Sequence, residues 1–88
     1  MWQVKIKRKL QKQIEALPQN VQDLFADLKM DLEYGGPEQT SWKNYSKLGK
    51  NKYHCHLTYR YVACWTVNDN MTLTMEVYYV GSRENAPY

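Results

Sequence analysis

The chain has 88 residues, 43% hydrophobic and 24% charged, with 12 Lys and Arg against 9 Asp and Glu for a net charge of +3. That length allows one domain, residues 1–88, with a small core, and the apolar content excludes a disordered tail. No apolar run approaches a membrane span and "MWQVKIKRKL" lacks the core of a signal peptide, so a cytoplasmic protein is expected.

"WQVKI" alternates and opens the chain as a short strand. Leu10, Ile14 and Leu17 then recur at helical spacing with Lys and Gln between them, an amphipathic helix. Pro18 punctuates it and suits the start of a second helix, in which Val21, Leu24, Phe25, Leu28 and Leu32 make one stripe. "YGGP" stops that helix, with Gly35 offered as a left-handed cap. Beyond Gly36 the period changes to two. "SWKNYSKL", "KYHCHL", "RYVACWTV" and "MTLTMEVYYV" read as strands, with "NDN" at 68–70 as the turn between the last two. The short connections favour antiparallel neighbours. The expected fold is α+β: an N-terminal strand, a helical hairpin, then a four-stranded antiparallel meander with the helices packed on one face. Tyr53, Cys55 and Leu57 would then point at the helices, and His54 and His56 would line an open face. Cys55 and Cys64 fall on neighbouring strands, where a disulfide is conceivable, but burial as free thiols is the expectation.

Charge is unevenly spread. Asp23, Asp27 and Asp31 repeat every fourth residue opposite the apolar stripe of the second helix, with Glu33 and Glu38 following. From Gln39 to Asn68 there is no acid, while Lys43, Lys47, Lys50, Lys52 and Arg60 all fall there. The early segment adds Lys5, Lys7, Arg8, Lys9 and Lys12. Such a surface attracts a polyanion, because Lys and Arg release counterions condensed on phosphate.

The pair in "YHCHL" admits three readings: a metal site, acid/base chemistry on a phosphate, or ordinary strand residues. A zinc site needs three or four ligands, and no carboxylate stands near enough in sequence to complete one, so no metal and no cofactor are expected. Histidine titrates near neutrality, and either His54 or His56 can serve as a base. Cleavage of RNA by its own 2′-hydroxyl needs a base, an acid for the leaving oxygen, and cations for the phosphorane; Lys52, Arg60 and Arg83 are candidates for the last. Trp42, Tyr45, Tyr59 and Trp65 offer faces for base stacking, although strand and core packing accounts for them equally well.

Taken in order, the initial strand, the helical hairpin ending at a glycine turn, "WKNYSKL", "YHCHL", "RYVACWTV" and the closing "VYYVGSREN…Y" resemble the RelE/ParE superfamily of toxin–antitoxin toxins. The resemblance implies a ribosome-dependent, metal-independent endoribonuclease that cuts mRNA through 2′-hydroxyl attack and so inhibits translation. It implies catalytic roles for His54 and His56, which stand where such toxins carry two lysines, for Arg83 in "GSRE" and for Tyr88. Lys43, Lys47, Lys52 and Arg60 would bind substrate, orienting phosphates without reading sequence. The implied partners are a cognate antitoxin, in a hetero-oligomeric complex, together with the ribosome and mRNA. Two other readings share the resemblance: a ParE-like toxin that inhibits DNA gyrase without cleaving RNA, and an inactive module that only binds its antitoxin.

Overall fold

The computed structural model describes residues 1–88. Strand β1 spans Gln3–Ile6, helix α1 Arg8–Glu15 and helix α2 Gln19–Gly35; strands β2 (Ser46–Gly49), β3 (Lys52–His56), β4 (Tyr61–Asp69) and β5 (Thr74–Ser82) follow, and a 3-10 turn covers Arg83–Asn85.

The fold is α+β as expected, but the sheet is a single mixed one of five strands in the order β1-β5-β4-β3-β2. β2 to β5 pair antiparallel in succession, whereas β1 lies parallel to β5, with Gln3 opposite Thr74 and Ile6 opposite Val77. The first strand is therefore the edge of the meander and no separate element. The helical hairpin carries the chain from β1 at one edge of the sheet to β2 at the other, and the antiparallel run β2 to β5 then brings β5 back beside β1.

An eight-residue helix such as α1 is marginal alone. It is held by Leu10 and Ile14, one turn apart and both buried, while its Lys, Arg and Gln side chains stay in solvent. In α2 the buried residues are Val21, Phe25, Leu28 and Leu32, and Asp23, Asp27 and Asp31 are exposed on the opposite side. Complete burial of Leu28 and Leu32 stabilises the fold by roughly 2 kcal/mol each. The helix ends one residue later than the sequence suggests. Gly35 is still helical and Gly36 takes the left-handed φ of +86°, where a Cβ would come within 2.9 Å of Trp2 Nε1. Gln39, itself buried, donates to the carbonyls of Asp31 (2.9 Å) and Gly36 (2.8 Å) and so satisfies this helix end.

Against the helices the sheet presents Tyr53, Cys55 and Leu57 of the third-strand region, Ala63, Trp65 and Val67 of β4, and Met75, Val77 and Val80 of β5. Trp65 is fully buried, and its Nε1 donates to the Pro37 carbonyl at 3.0 Å. Its ring lies 6.2 Å from that of Tyr53, which in turn lies 6.3 Å from Tyr45.

Two strand boundaries differ from the expected ones. β2 is only Ser46–Gly49, because Trp42 donates from Nε1 to the Asp31 carboxylate and Asn44 adopts a φ of +53°, which keeps residues 40–45 in turns. The last hairpin turns at 70–73 rather than 68–70, with Leu73 at a φ of +52° and Asp69 Oδ1 accepting from the Met71 N–H. Cys55 and Cys64 are both free and buried, on opposite faces of the sheet. No helix is long and apolar enough to cross a membrane.

Candidate active site

Since Tyr53, Cys55 and Leu57 enter the core, strand alternation sends His54 and His56 to the sheet face away from the helices. That face is not open. His54 is 8% exposed and His56 9%. Part of the cover comes from an irregularity in β5. Cys64 pairs with Tyr79 but Trp65 pairs with Val77, so Tyr78 is an extra residue, a β-bulge. Tyr78 lies close enough to the Cys64 thiol to act on it, and Tyr79, paired with Cys64, donates to the Ser82 carbonyl at 2.6 Å. Both rings thus belong to the histidine side. Gly81 is required there, because a Cβ would sit 2.9 Å from Tyr79 Oη. The segment after β5 folds back over the same face, bringing the Tyr88 ring to 4.6 Å from that of His54.

The two imidazoles meet edge to face with centres 5.7 Å apart. His54 Nδ1 shares a 2.9 Å hydrogen bond with Ser46 Oγ, from the residue directly opposite on β2. His56 Nδ1 is buried with no partner, although the backbone N–H of the same residue donates to the Lys43 carbonyl at 2.8 Å. Burial lowers the titration point of His54, as does the neighbouring His56, against an opposing contribution from Ser46. For His56 burial is again the main cause, followed by the charges of Arg83 and then Lys43; the Thr58 backbone acts weakly in the opposite sense. Both rings are therefore neutral near pH 7. Tyr88 is pushed the other way, its phenol kept protonated by burial and by Cys64 against the pull of Arg83. The Cys64 thiol beneath them is raised to about 11, chiefly by burial.

Arg83 leaves β5 on the 3-10 turn, and its backbone N–H donates to the Arg60 carbonyl at 2.8 Å. Tyr59, Arg60, Tyr61, Ser82, Arg83 and Glu84 line a cavity of about 350 Å³ where the β3–β4 turn meets the end of β5. The ion pairs of the molecule are Lys7–Glu76 (3.8 Å) and Lys29–Glu33 (3.0 Å), so no carboxylate is paired with Arg83, Arg60 or Lys43. No three His, Cys, Asp or Glu side chains gather anywhere as a metal shell.

The sequence-derived candidates separate into groups. His54, His56, Arg83 and Tyr88 come together, with Lys43 close enough to act on His56. Arg60 is at the cavity, across the β3–β4 turn. Lys52 is exposed at the far end of β3, opposite Thr66. Lys47 falls on the helix side of the sheet, with its Nζ 5.7 Å from the ring centre of Tyr53, and is not part of the cluster. Ser46 was not among the candidates; only the register of the β2–β3 hairpin reveals it. The adjacent tyrosines of "EVYYV", which break strict alternation, were the signal for the bulge.

This mixed sheet, its crossover hairpin and its returning end make the fold of the RelE- and YoeB-type toxins. The archaeal RelE–RelB complex from Pyrococcus horikoshii superposes with a TM-score of 0.74 at 18% identity, over 97% of this chain and 98% of the other. The YoeB–YefM complex from Staphylococcus aureus gives 0.69 at 11% identity over 94% and 98%, and a copper-bound mutant toxin from Helicobacter pylori 0.68 at 15% over 96% and 97%. No family model and no curated protein matches the sequence.

Proposed function

We propose that the chain is a toxin of the RelE type, an endoribonuclease that cleaves ribosome-bound mRNA without a metal and is restrained by an antitoxin partner. The observation that carries this reading is the gathering of two neutral imidazoles and a protonated phenol on one sheet face, with the unpaired guanidinium of Arg83, which lines the cavity, near enough to act on His56 and Tyr88. His54 is the base. With its Nδ1 proton donated to Ser46 Oγ, Nε2 keeps a lone pair for the 2′-hydroxyl proton, and the same hydrogen bond steadies the imidazolium that forms. The 2′-oxygen attacks phosphorus and the bond to the 5′-oxygen breaks. Tyr88 supplies a proton to that leaving oxygen, so the products are a 2′,3′-cyclic phosphate and a 5′-hydroxyl. Arg83 and Lys43 meet the charge that develops on the phosphorane, with no carboxylate paired to either of them.

A ribosome-bound mRNA incubated with the purified chain in excess chelator tests the reading. Cut mRNA with 2′,3′-cyclic ends is expected, and His54→Ala lowers the rate by about a hundredfold, the usual scale for loss of a general base. Intact mRNA with toxicity retained in the His54→Ala, His56→Ala chain would turn the assignment toward a toxin that acts by binding.

A further inference from the structure

Arg83 is exposed, and no carboxylate holds it. Its guanidinium nevertheless rests against the ring of Tyr59, which is itself 66% exposed. The Cζ atom lies 4.3 Å from the centre of the Tyr59 ring, and Nη2 donates to Tyr59 Oη at 3.2 Å. Tyr59 is in turn presented by a turn with few degrees of freedom. The Thr58 hydroxyl accepts from the N–H groups of Arg60 and Tyr61, each at 3.2 Å, and the Leu57 N–H donates to the Tyr61 carbonyl at 2.8 Å. The backbone bond from Arg83 to the Arg60 carbonyl ties this turn to the 3-10 segment, so both ends of the contact are anchored.

An aromatic clasp has a property that an ion pair lacks. A carboxylate would cancel the charge of the arginine and compete with phosphate for its N–H groups. A ring takes one face of the guanidinium and a phenol oxygen takes one donor, leaving charge and most of the five donors available. We propose that Tyr59 is a positioning residue that holds the Arg83 guanidinium at the mouth of the cavity in readiness for a phosphate, an inference that takes the nuclease reading as its frame. Tyr59 would not touch the reacting atoms; it would act through Arg83. The groups around His56 through which this is read are Arg83 and Lys43, with His54 beside it on the strand and Tyr88 against His54.

A double-mutant cycle over Tyr59→Leu and Arg83→Gln tests it, with two readouts. In mRNA cleavage, Tyr59→Leu lowers kcat about tenfold with KM changed less than about twofold, and Tyr59→Phe, which keeps the ring, loses only about threefold. In the Arg83→Gln chain Tyr59→Leu has no further effect. In the ribosome-free protein, the His56 ring titration followed by NMR moves to higher pH in Tyr59→Leu and in Arg83→Gln, but no further in the double variant. Losses that multiply in the two backgrounds, or a His56 titration unmoved by Tyr59→Leu, would overturn the proposal. The titration cycle needs no cleavage, so absence of nuclease activity in the parent chain defeats the nuclease reading and leaves the clasp to be decided by NMR.

Discussion

Mild acid should weaken this fold through its two histidines. Both rings are more than nine-tenths buried and held neutral, so the unfolded chain binds protons at a higher pH than the folded one. Stability is then full above the unfolded histidine value of 6.5 and falls as pH drops through it, since the unfolded state carries the extra protons. Each histidine contributes a slope of at most about 1.4 kcal/mol per pH unit. Between about pH 7 and about pH 5.5 the pair therefore loses stability by at most about 2 to 3 kcal/mol, the limit in which neither folded ring takes up a proton. Urea unfolding followed by tryptophan fluorescence at both pH values measures the loss, and the same pair of curves for the His54→Gln, His56→Gln chain removes it. A midpoint that does not move on acidification would refute the reasoning, as would an equal shift in the double variant.

Other expectations concern the supports of the site and of the helix that covers the core. Gly81→Ala forces Tyr79 Oη off the Ser82 carbonyl and should cost about 2 kcal/mol by crowding and a lost hydrogen bond, read as a lower urea midpoint at unchanged slope. Cys55 and Cys64, pushed up to about 12 and about 11, should resist a thiol reagent at mildly alkaline pH until urea unfolds the chain, and labelling of the native protein would contradict their burial. Gln39→Ala leaves two carbonyls at the end of α2 without their donor and should cost about 1–2 kcal/mol in the same unfolding assay.

The helices were legible because their spacing states one buried face each: Leu10 and Ile14 in α1, and Val21, Phe25, Leu28 and Leu32 in α2. The side to which His54 points was legible too, since Tyr53, Cys55 and Leu57 leave the alternating positions only the other face. The partner of β1 was not. Its four residues alternate as any edge strand does, and nothing local says that their hydrogen bonds close on residues 74–77. The shortening of β2 was hidden for a related reason, as Trp42 is drawn out of the strand by an aspartate on α2. The cover over the histidines comes from a bulge, marked in the sequence only by the break in alternation at Tyr78 and Tyr79, and from a returning segment that hydrophobic period cannot express. Lys47 shows the limit of counting charge along a stretch: it shares the acid-free run with the site yet stands on the opposite face.

The parallel joining of β1 to β5 also sets an order of events. Synthesis runs from the amino end, so the first strand emerges long before its only strand neighbour exists, and the helical hairpin must wait with its apolar stripes unmatched. Closure of the sheet is a late, long-range step that couples the start of the chain to the segment leading into Arg83. A nascent chain short of its fifth strand thus lacks both a finished core and the Arg83 guanidinium that follows that strand.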